Sequence, residues 1–176
     1  VNSYNYNGQN FTELLENVAK VKGLKRLRYT SPHPQDINIE LLKIMAKYDN
    51  ICNYVHLPLQ SGSNNILKRM NRTYTKEHFI EIVKTIREIL PNAGISTDII
   101  VGFPGETDDD FNKTIKVMAE VKFDSAFTFK YSIRKGTKAS EYDDHINEKI
   151  KQKRLEQVIA LQKSHTIHLN QNYIGR

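Results

Sequence analysis

One cysteine, Cys52, stands in a chain of 176 residues that has no tryptophan. A lone thiol excludes a disulfide framework, and it excludes a metal or cluster site built from this chain's own cysteines. No apolar run approaches the roughly 18 residues of a membrane span, and no segment reads as a signal peptide. The basic residues form no RGG tract and no separate tail, and no low-complexity linker interrupts the chain. A cytoplasmic location is the expectation for such a sequence.

What is present describes a globular protein: 39% hydrophobic and 26% charged residues, in a length sufficient for one domain with a sizeable core. A net charge of +6 and a pI of about 9.3 mildly favour a polyanionic partner such as nucleic acid, with a lysine-rich solvated surface as the plain alternative. The chain opens on Val1 and stops at "NYIGR" directly after a helical pattern, so it is expected to be a piece of a larger protein.

Short β-rich runs alternate with longer helical patterns. Residues 24–30, "LKRLRYT", read as a strand stopped by the prolines of "SPHP". Asp36 is placed to cap a helix over 37–48, and "CNYVHLPL" (52–59) reads as the next strand. Ser63 starts a short helix carrying Ile66, Leu67 and Met70. The clearest helix is 76–90, capped by Thr75, with Phe79, Ile82, Val83, Ile86 and Ile89 at helical steps before Pro91. "GISTDIIVG" (94–102) is strand-like, 108–121 helical, and "SAFTFKYS" (125–132) strand-like. The last pattern, 148–172, is an amphipathic helix carrying Leu155, Val158, Ile159 and Leu169. Four strands separated by helices predict an α/β fold with a parallel sheet. They are too few to close a barrel of eight, so an open partial βα barrel is expected, with a doubly wound sheet as the alternative.

In either architecture ligands sit at the C-terminal strand ends. That directs attention to Ser31 and His33, to Gln60–Gly62, to Asp98–Glu106 and to Ser132–Thr137. In "DIIVGFPGETDDDF", Gly102 and Gly105 allow a sharp bend or a close approach. Thr107 and Asp110 have the spacing of a capping box, and Asp108, Asp109 and Asp110 fall in the first helical turn, where the macrodipole favours acids. These three are expected to be structural. Asp98 differs, because a carboxylate inside an apolar strand needs a partner, and alternation puts it on one face with Ile100 and Gly102. Gln60 ends a strand with an amide that both donates and accepts. Arg69 and Arg72 flank the short helix and, taken alone, read as surface arginines. His33 and His56 show no metal spacing, and His165 and His168 lack a third candidate ligand, so no metal site is expected.

"SPHP", "HLPLQSGS…ILKRMNRTYT", "STDIIVGFPGET" and "FKYSIRKGTKA" together resemble, in order and spacing, the radical-SAM methylthiotransferases. "VNSY" at the start resembles a segment of the MiaB-type enzymes that act on tRNA. The resemblance covers essentially the whole chain and implies the C-terminal part of a radical-SAM core barrel, one domain over 1–176. It implies an enzyme that replaces a C–H bond by C–SCH3 on an isopentenyladenosine beside the tRNA anticodon. It also implies S-adenosylmethionine and two four-iron four-sulfur clusters as cofactors. Carried over by matching positions, Gln60 and Asp98 lie by the cofactor ribose, Arg72 takes its methionine carboxylate, and Ile100 and Gly102 form the adenine wall. Ser31 is a weaker cofactor candidate, while Arg134 and Arg69 are candidates for contact with tRNA.

The family's CxxxCxxC motif is absent from these residues, as are its N-terminal cluster domain and C-terminal TRAM domain. The piece itself is therefore expected to hold neither cluster and to be inactive alone, the activity belonging to the parent enzyme. Relatives acting on threonylcarbamoyl-adenosine in tRNA, or on an aspartate of a ribosomal protein, stay open. So do a radical-SAM enzyme with a small-molecule substrate and a non-catalytic RNA- or nucleoside-binding module. An open sheet edge also predicts a non-native dimer.

Overall fold

The structure, a computed structural model, describes residues 3–30, 33 and 34, 37–172, and 174 and 175. A two-stranded antiparallel hairpin, β1 (Asn5–Tyr6) and β2 (Gln9–Asn10), leads into α1 (Phe11–Ala19). Sequence reading did not identify that helix, although its signals are present. Asn10 and Glu13 form a full capping box, and Phe11, Leu15 and Ala19 make one buried stripe.

Three parallel strands follow in chain order: β3 (Tyr54–His56), β4 (Gly94–Val101) and β5 (Ser125–Lys130). The expected strand over 24–30 is reduced to a single parallel bridge between Leu27 and Ile51. Lys25, Arg26 and Arg28 alternate with too little apolar surface to hold a longer ladder there. The strand expected over 52–59 is interrupted as well. Pro58 has no N–H to give, the Leu59 N–H donates to Thr97 Oγ1 instead, and Gln60 rejoins the sheet through a bridge to Ile99.

The intervening helices are α2 (Ile39–Lys47), α3 (Asn64–Arg69), α4 (Lys76–Ile89), α5 (Asp108–Val121) and α6 (Glu148–Gln171). Helix α2 begins two residues later than expected, because Asn38 caps it by accepting from the Leu41 N–H; Asp36 lies outside the described residues. Thr75 caps α4, and Thr107 with Asp110 closes a capping box on α5. Ser63 occupies the N-cap position of α3 without capping it.

Strand alternation separates two faces. Val55, Ile95, Ile99 and Val101 are buried with Phe79 and Ile86 of α4 and Met118 of α5 in the main core. The opposite face carries Tyr54, His56, Ser96, Asp98 and Ile100, beside the exposed Phe127 and Phe129 of β5. Three strands in sequential order, with helices as crossovers, leave the sheet open.

Helix α6 departs from the expected pattern. Ile159 is exposed, and the buried stripe runs through Lys151, Arg154, Val158 and Gln162. Those polar residues end on strand- and loop-end groups: Lys151 Nζ donates to the Tyr131 carbonyl, Arg154 to Glu106, and Gln162 Nε2 to the Phe123 carbonyl. The helix runs antiparallel along β5, so its inward face meets loop carbonyls at both ends of that strand, Tyr131 after it and Phe123 before it, which explains the polar residues there.

Candidate functional site

At the C-terminal ends of the strands lies a cavity of about 760 Å³. Gln60, Asp98, Ile100, Arg69, Arg72 and Arg134, six of the residues singled out from the sequence, all line it.

Gln60 takes φ +67°, left-handed backbone that a residue with a Cβ adopts at a cost of order 1 kcal/mol. The surrounding ladder enforces it. Its N–H donates to the Asp98 carbonyl at 2.8 Å, and its own carbonyl accepts from the Ile100 N–H at 2.9 Å. The backbone thereby delivers a buried amide to the cavity wall. Below it, Tyr74 donates its hydroxyl to the carbonyls of Pro58 and Leu59, closing the irregular end of β3, and burial pushes that phenol up to about 12.

Asp98 sits in the middle of β4 with its side chain 26% exposed. Its Oδ2 lies 3.4 Å from His56 Nε2, and His56 Nδ1 is 2.8 Å from Ser96 Oγ, which also accepts from the Tyr54 hydroxyl at 2.5 Å. A polar chain therefore crosses the open sheet face and ends on a carboxylate at the cavity, with acceptor capacity left over. Arg72 contributes a guanidinium whose buried Nε has no hydrogen-bond partner among the described residues. An unpaired buried donor is costly, so this group is poised for an anionic or carbonyl ligand.

The other candidates stand differently. Ser31 lies outside the described residues. Gly102 does not line the cavity; at φ +70° a Cβ there would fall 2.4 Å from Lys151 Cγ, so the aliphatic stem of Lys151 accounts for the glycine. Arg69 is already engaged, with Nη2 donating to both carboxylate oxygens of Asp144 at 2.7 and 2.8 Å. Arg134 is exposed, and its side chain makes no ion pair among the described residues.

The three aspartates of α5 have structural partners. Asp108 and Asp109 pair with Arg154 and Lys113. Asp110 is buried, completes the capping box, and accepts a 2.6 Å hydrogen bond from Ser63. The neighbouring Glu106, which the sequence marked only as the end of the Asp98–Glu106 stretch, accepts from the Gly102 N–H at 2.8 Å and from Arg154 Nη1 at 2.7 Å. Burial pushes its carboxyl above the usual range despite those contacts. The available signal was the run of polar residues at helical spacing in α6. Among the described residues no group of three or more His, Cys, Asp or Glu can hold a metal ion.

An open, sequentially ordered parallel sheet with polar side chains converging on one cavity at its strand ends defines a partial (βα)-barrel domain. The chain belongs to the radical SAM superfamily, whose profile matches residues 5–118. Among curated relatives, the tRNA-2-methylthio-N(6)-dimethylallyladenosine synthase of Thermodesulfovibrio yellowstonii is 47% identical over 176 residues, covering 100% of this chain and 41% of the relative. The same-named proteins of Clostridium botulinum (strain Okra) and Mycobacteroides abscessus are 45% and 48% identical over 94% of this chain, covering 37% and 33% of their own lengths. The chain thus spans well under half of the relatives it matches. Among solved structures, the radical SAM enzyme coproporphyrinogen III oxidase (HemN) of Escherichia coli superposes with a TM-score of 0.66 at 22% identity, covering 80% of this chain and 32% of that one. The archaeal Elp3 of Methanocaldococcus infernus gives 0.54 at 18% identity, covering 94% and 37%. These two likenesses bear on the fold alone, and the partial open barrel agrees with them.

Proposed function

We propose that this chain is the S-adenosylmethionine-holding part of the core barrel of an enzyme that methylthiolates isopentenyladenosine beside the anticodon of tRNA. One observation carries the reading: Gln60, Arg72, Asp98 and Ile100, distant in sequence, line one cavity at the strand ends. The relatives' shared name supplies the reaction, and the basic charge accords with a polyanionic substrate.

The residues present fit the cofactor. The unpartnered Nε of the Arg72 guanidinium suits a carboxylate, the free acceptor capacity of Asp98 suits ribose hydroxyls, and Gln60 can donate or accept beside it. Ile100 gives an apolar wall for a purine. Held by Gln60, Arg72 and Asp98, S-adenosylmethionine would supply the radical chemistry, given an electron from an iron–sulfur cluster, and a second molecule would supply the methyl group. The tasks of this chain are to orient the cofactor through its two ends and to cover one side of it from water. The residues do not fit a cluster, since one cysteine cannot furnish three thiolates. Cluster ligands therefore come from other parts of the enzyme, and residues 1–176 form one unit of its barrel, inactive alone. In this reading the enzyme is cytoplasmic, like its substrate; among the described residues no helix is long and apolar enough to cross a membrane. The sheet edge that the barrel's first strands would cover makes a non-native dimer of the isolated piece the expected outcome, read by light scattering at high concentration.

The test is S-adenosylmethionine binding by anaerobic calorimetry in the full-length, cluster-loaded enzyme. Arg72→Ala and Asp98→Ala each remove a charged hydrogen-bonding group worth roughly 1.5–3 kcal/mol, so affinity should fall about ten- to a hundredfold. Unchanged affinity in both variants would refute the assignment.

A further inference from the structure

Between β5 and α6 the chain forms a strap, residues 131–147, that borders the cavity through Ser132, Arg134, Thr137, Lys138 and Tyr142. Its cationic part is compact. The Thr137 hydroxyl donates to the Arg134 carbonyl at 2.8 Å, the Ser140 N–H donates to the Thr137 carbonyl at 2.9 Å, and Lys138–Glu141 form one 3-10 turn. Arg134 and Lys138 consequently sit on one hydrogen-bonded turn. Neither makes an ion pair among the described residues, so both charges are available at the cavity mouth.

Arg69 supplies the charged part of what holds this turn against the barrel, beside ring contacts of Phe103 with Tyr131 and Tyr142. Arg69, the last residue of α3, donates from Nη2 to both Asp144 oxygens, and its guanidinium carbon lies 4.5 Å from the centre of the Tyr142 ring. Tyr142 rests edge-on to Phe103, and the Gly105 N–H donates to the Asp144 carbonyl at 2.9 Å. Gly105 leaves no room for anything else: a Cβ there would fall 2.6 Å from Asp144 Oδ2 and 2.9 Å from Arg69 Cζ. Arg69 also neutralises one of the strap's three acids, Glu141, Asp143 and Asp144.

We infer that Arg69 is a positioning residue for nucleic-acid binding, one that clamps the strap through Asp144 and Tyr142 so that Arg134 and Lys138 meet the phosphates of a polynucleotide strand entering the cavity. A polynucleotide fits better than an acidic peptide because exposed aromatic surface accompanies the charge: Phe129, 51% exposed, lines the same cavity and offers a stacking face. The inference rests on the proposed tRNA substrate and adds to it a specific contact surface and the residue that builds it.

Two explanations for a role of Arg69 predict opposite effects of changing its partner. If only net charge matters, Asp144→Ala, which removes a negative charge, tightens RNA binding. If the clamp matters, the same change weakens it. The experiment is fluorescence anisotropy of an unmodified, transcribed tRNA with the full-length enzyme, titrated at several salt concentrations. Asp144→Ala and Arg69→Ala are each expected to weaken binding by about threefold or more, and the slope of log affinity against log salt should fall by about 2 as two phosphate contacts are lost. The double variant Arg134→Ala/Lys138→Ala, confined to an exposed strap, should show the same loss, and adding Arg69→Ala to it should cost nothing further. Equal or tighter binding by Asp144→Ala, or full affinity in the Arg134/Lys138 double variant, would overturn the inference. If the unaltered enzyme binds no tRNA, the proposed function fails; if it binds and only the variants are silent, the clamp alone fails.

Discussion

Replacing Arg154 by methionine tests how α6 is fastened to the loop between β4 and α5. The guanidinium is buried, with a side chain 7% exposed, and faces Glu106, 1% exposed. Nη1 donates to Glu106 Oε1 at 2.7 Å and to the Glu106 carbonyl at 3.0 Å, while Nη2 reaches Asp108 at 2.7 Å. Methionine keeps much of the packing volume but leaves a buried carboxylate whose remaining donor is the Gly102 N–H. Breaking a buried pair by removing one partner costs about 3–5 kcal/mol. The exposed Asp108 contact adds little. The pH dependence sharpens the test. Burial already pushes the Glu106 carboxyl above its ordinary range, and Arg154 is among the groups holding it down. Without Arg154 its folded value rises further. A folded value above the unfolded one means that the native state binds the extra proton, so stability falls as pH climbs between the two values and recovers as pH drops back. Urea unfolding followed by circular dichroism should therefore show Arg154→Met losing about 3–5 kcal/mol at pH 7.5, and measurably less at pH 5.5. A loss under about 1 kcal/mol, or one identical at both pH values, would refute the reasoning.

Two further perturbations probe the packing around the site. Gly62→Ala would put a Cβ 2.5 Å from Thr114 Cα and 2.6 Å from the Lys113 carbonyl, both backbone of α5, where no rotamer change gives relief. A cost of at least about 1–3 kcal/mol should lower the melting temperature by several degrees, and an unchanged melt would show that loop and helix separate freely. Ser63→Ala removes a short hydrogen bond to the Asp110 carboxylate, worth roughly 1.5–3 kcal/mol at neutral pH. Burial pushes that carboxyl up, but hydrogen bonds from Ser63 and Thr107 outweigh it and the value is lowered. This contribution is present above the unfolded carboxylate value and is lost as pH falls through the folded one. The gap between Ser63→Ala and the unaltered protein should thus close on acidification, and a constant gap down to about pH 3 would contradict it.

Helix boundaries were legible where caps are written in the chain. Thr75 and the Thr107–Asp110 pair placed α4 and α5 correctly, and the same chemistry in Asn10 and Glu13 marked α1 but went unread. Strand extent was less legible, because a ladder depends on partners elsewhere: Leu27 finds one bridge where local propensity suggested seven residues of strand. A rule of place, the strand end, drew attention to Gln60, Asp98 and Ile100, and the parallel sheet turns that rule into a shared cavity wall. Gly102 shows the limit of that rule. A missing side chain looks the same in sequence whether a ligand or the stem of Lys151 fills the space. Arg69 was read as a surface arginine and a candidate for contact with tRNA, because Asp144 lies far along the chain and only the folded strap joins them.

The sheet's order carries a consequence for synthesis. Because β3, β4 and β5 pair strictly with their sequence neighbours, each new strand docks on one already made. Gln60 and Asp98 come together as soon as β4 leaves the ribosome, since their backbones bond directly. The strap and α6 follow β5, when their Arg69 and Glu106 partners have already been made. A ribosome stalled just past β4 would already display the cavity's back wall, with the cationic rim still to come.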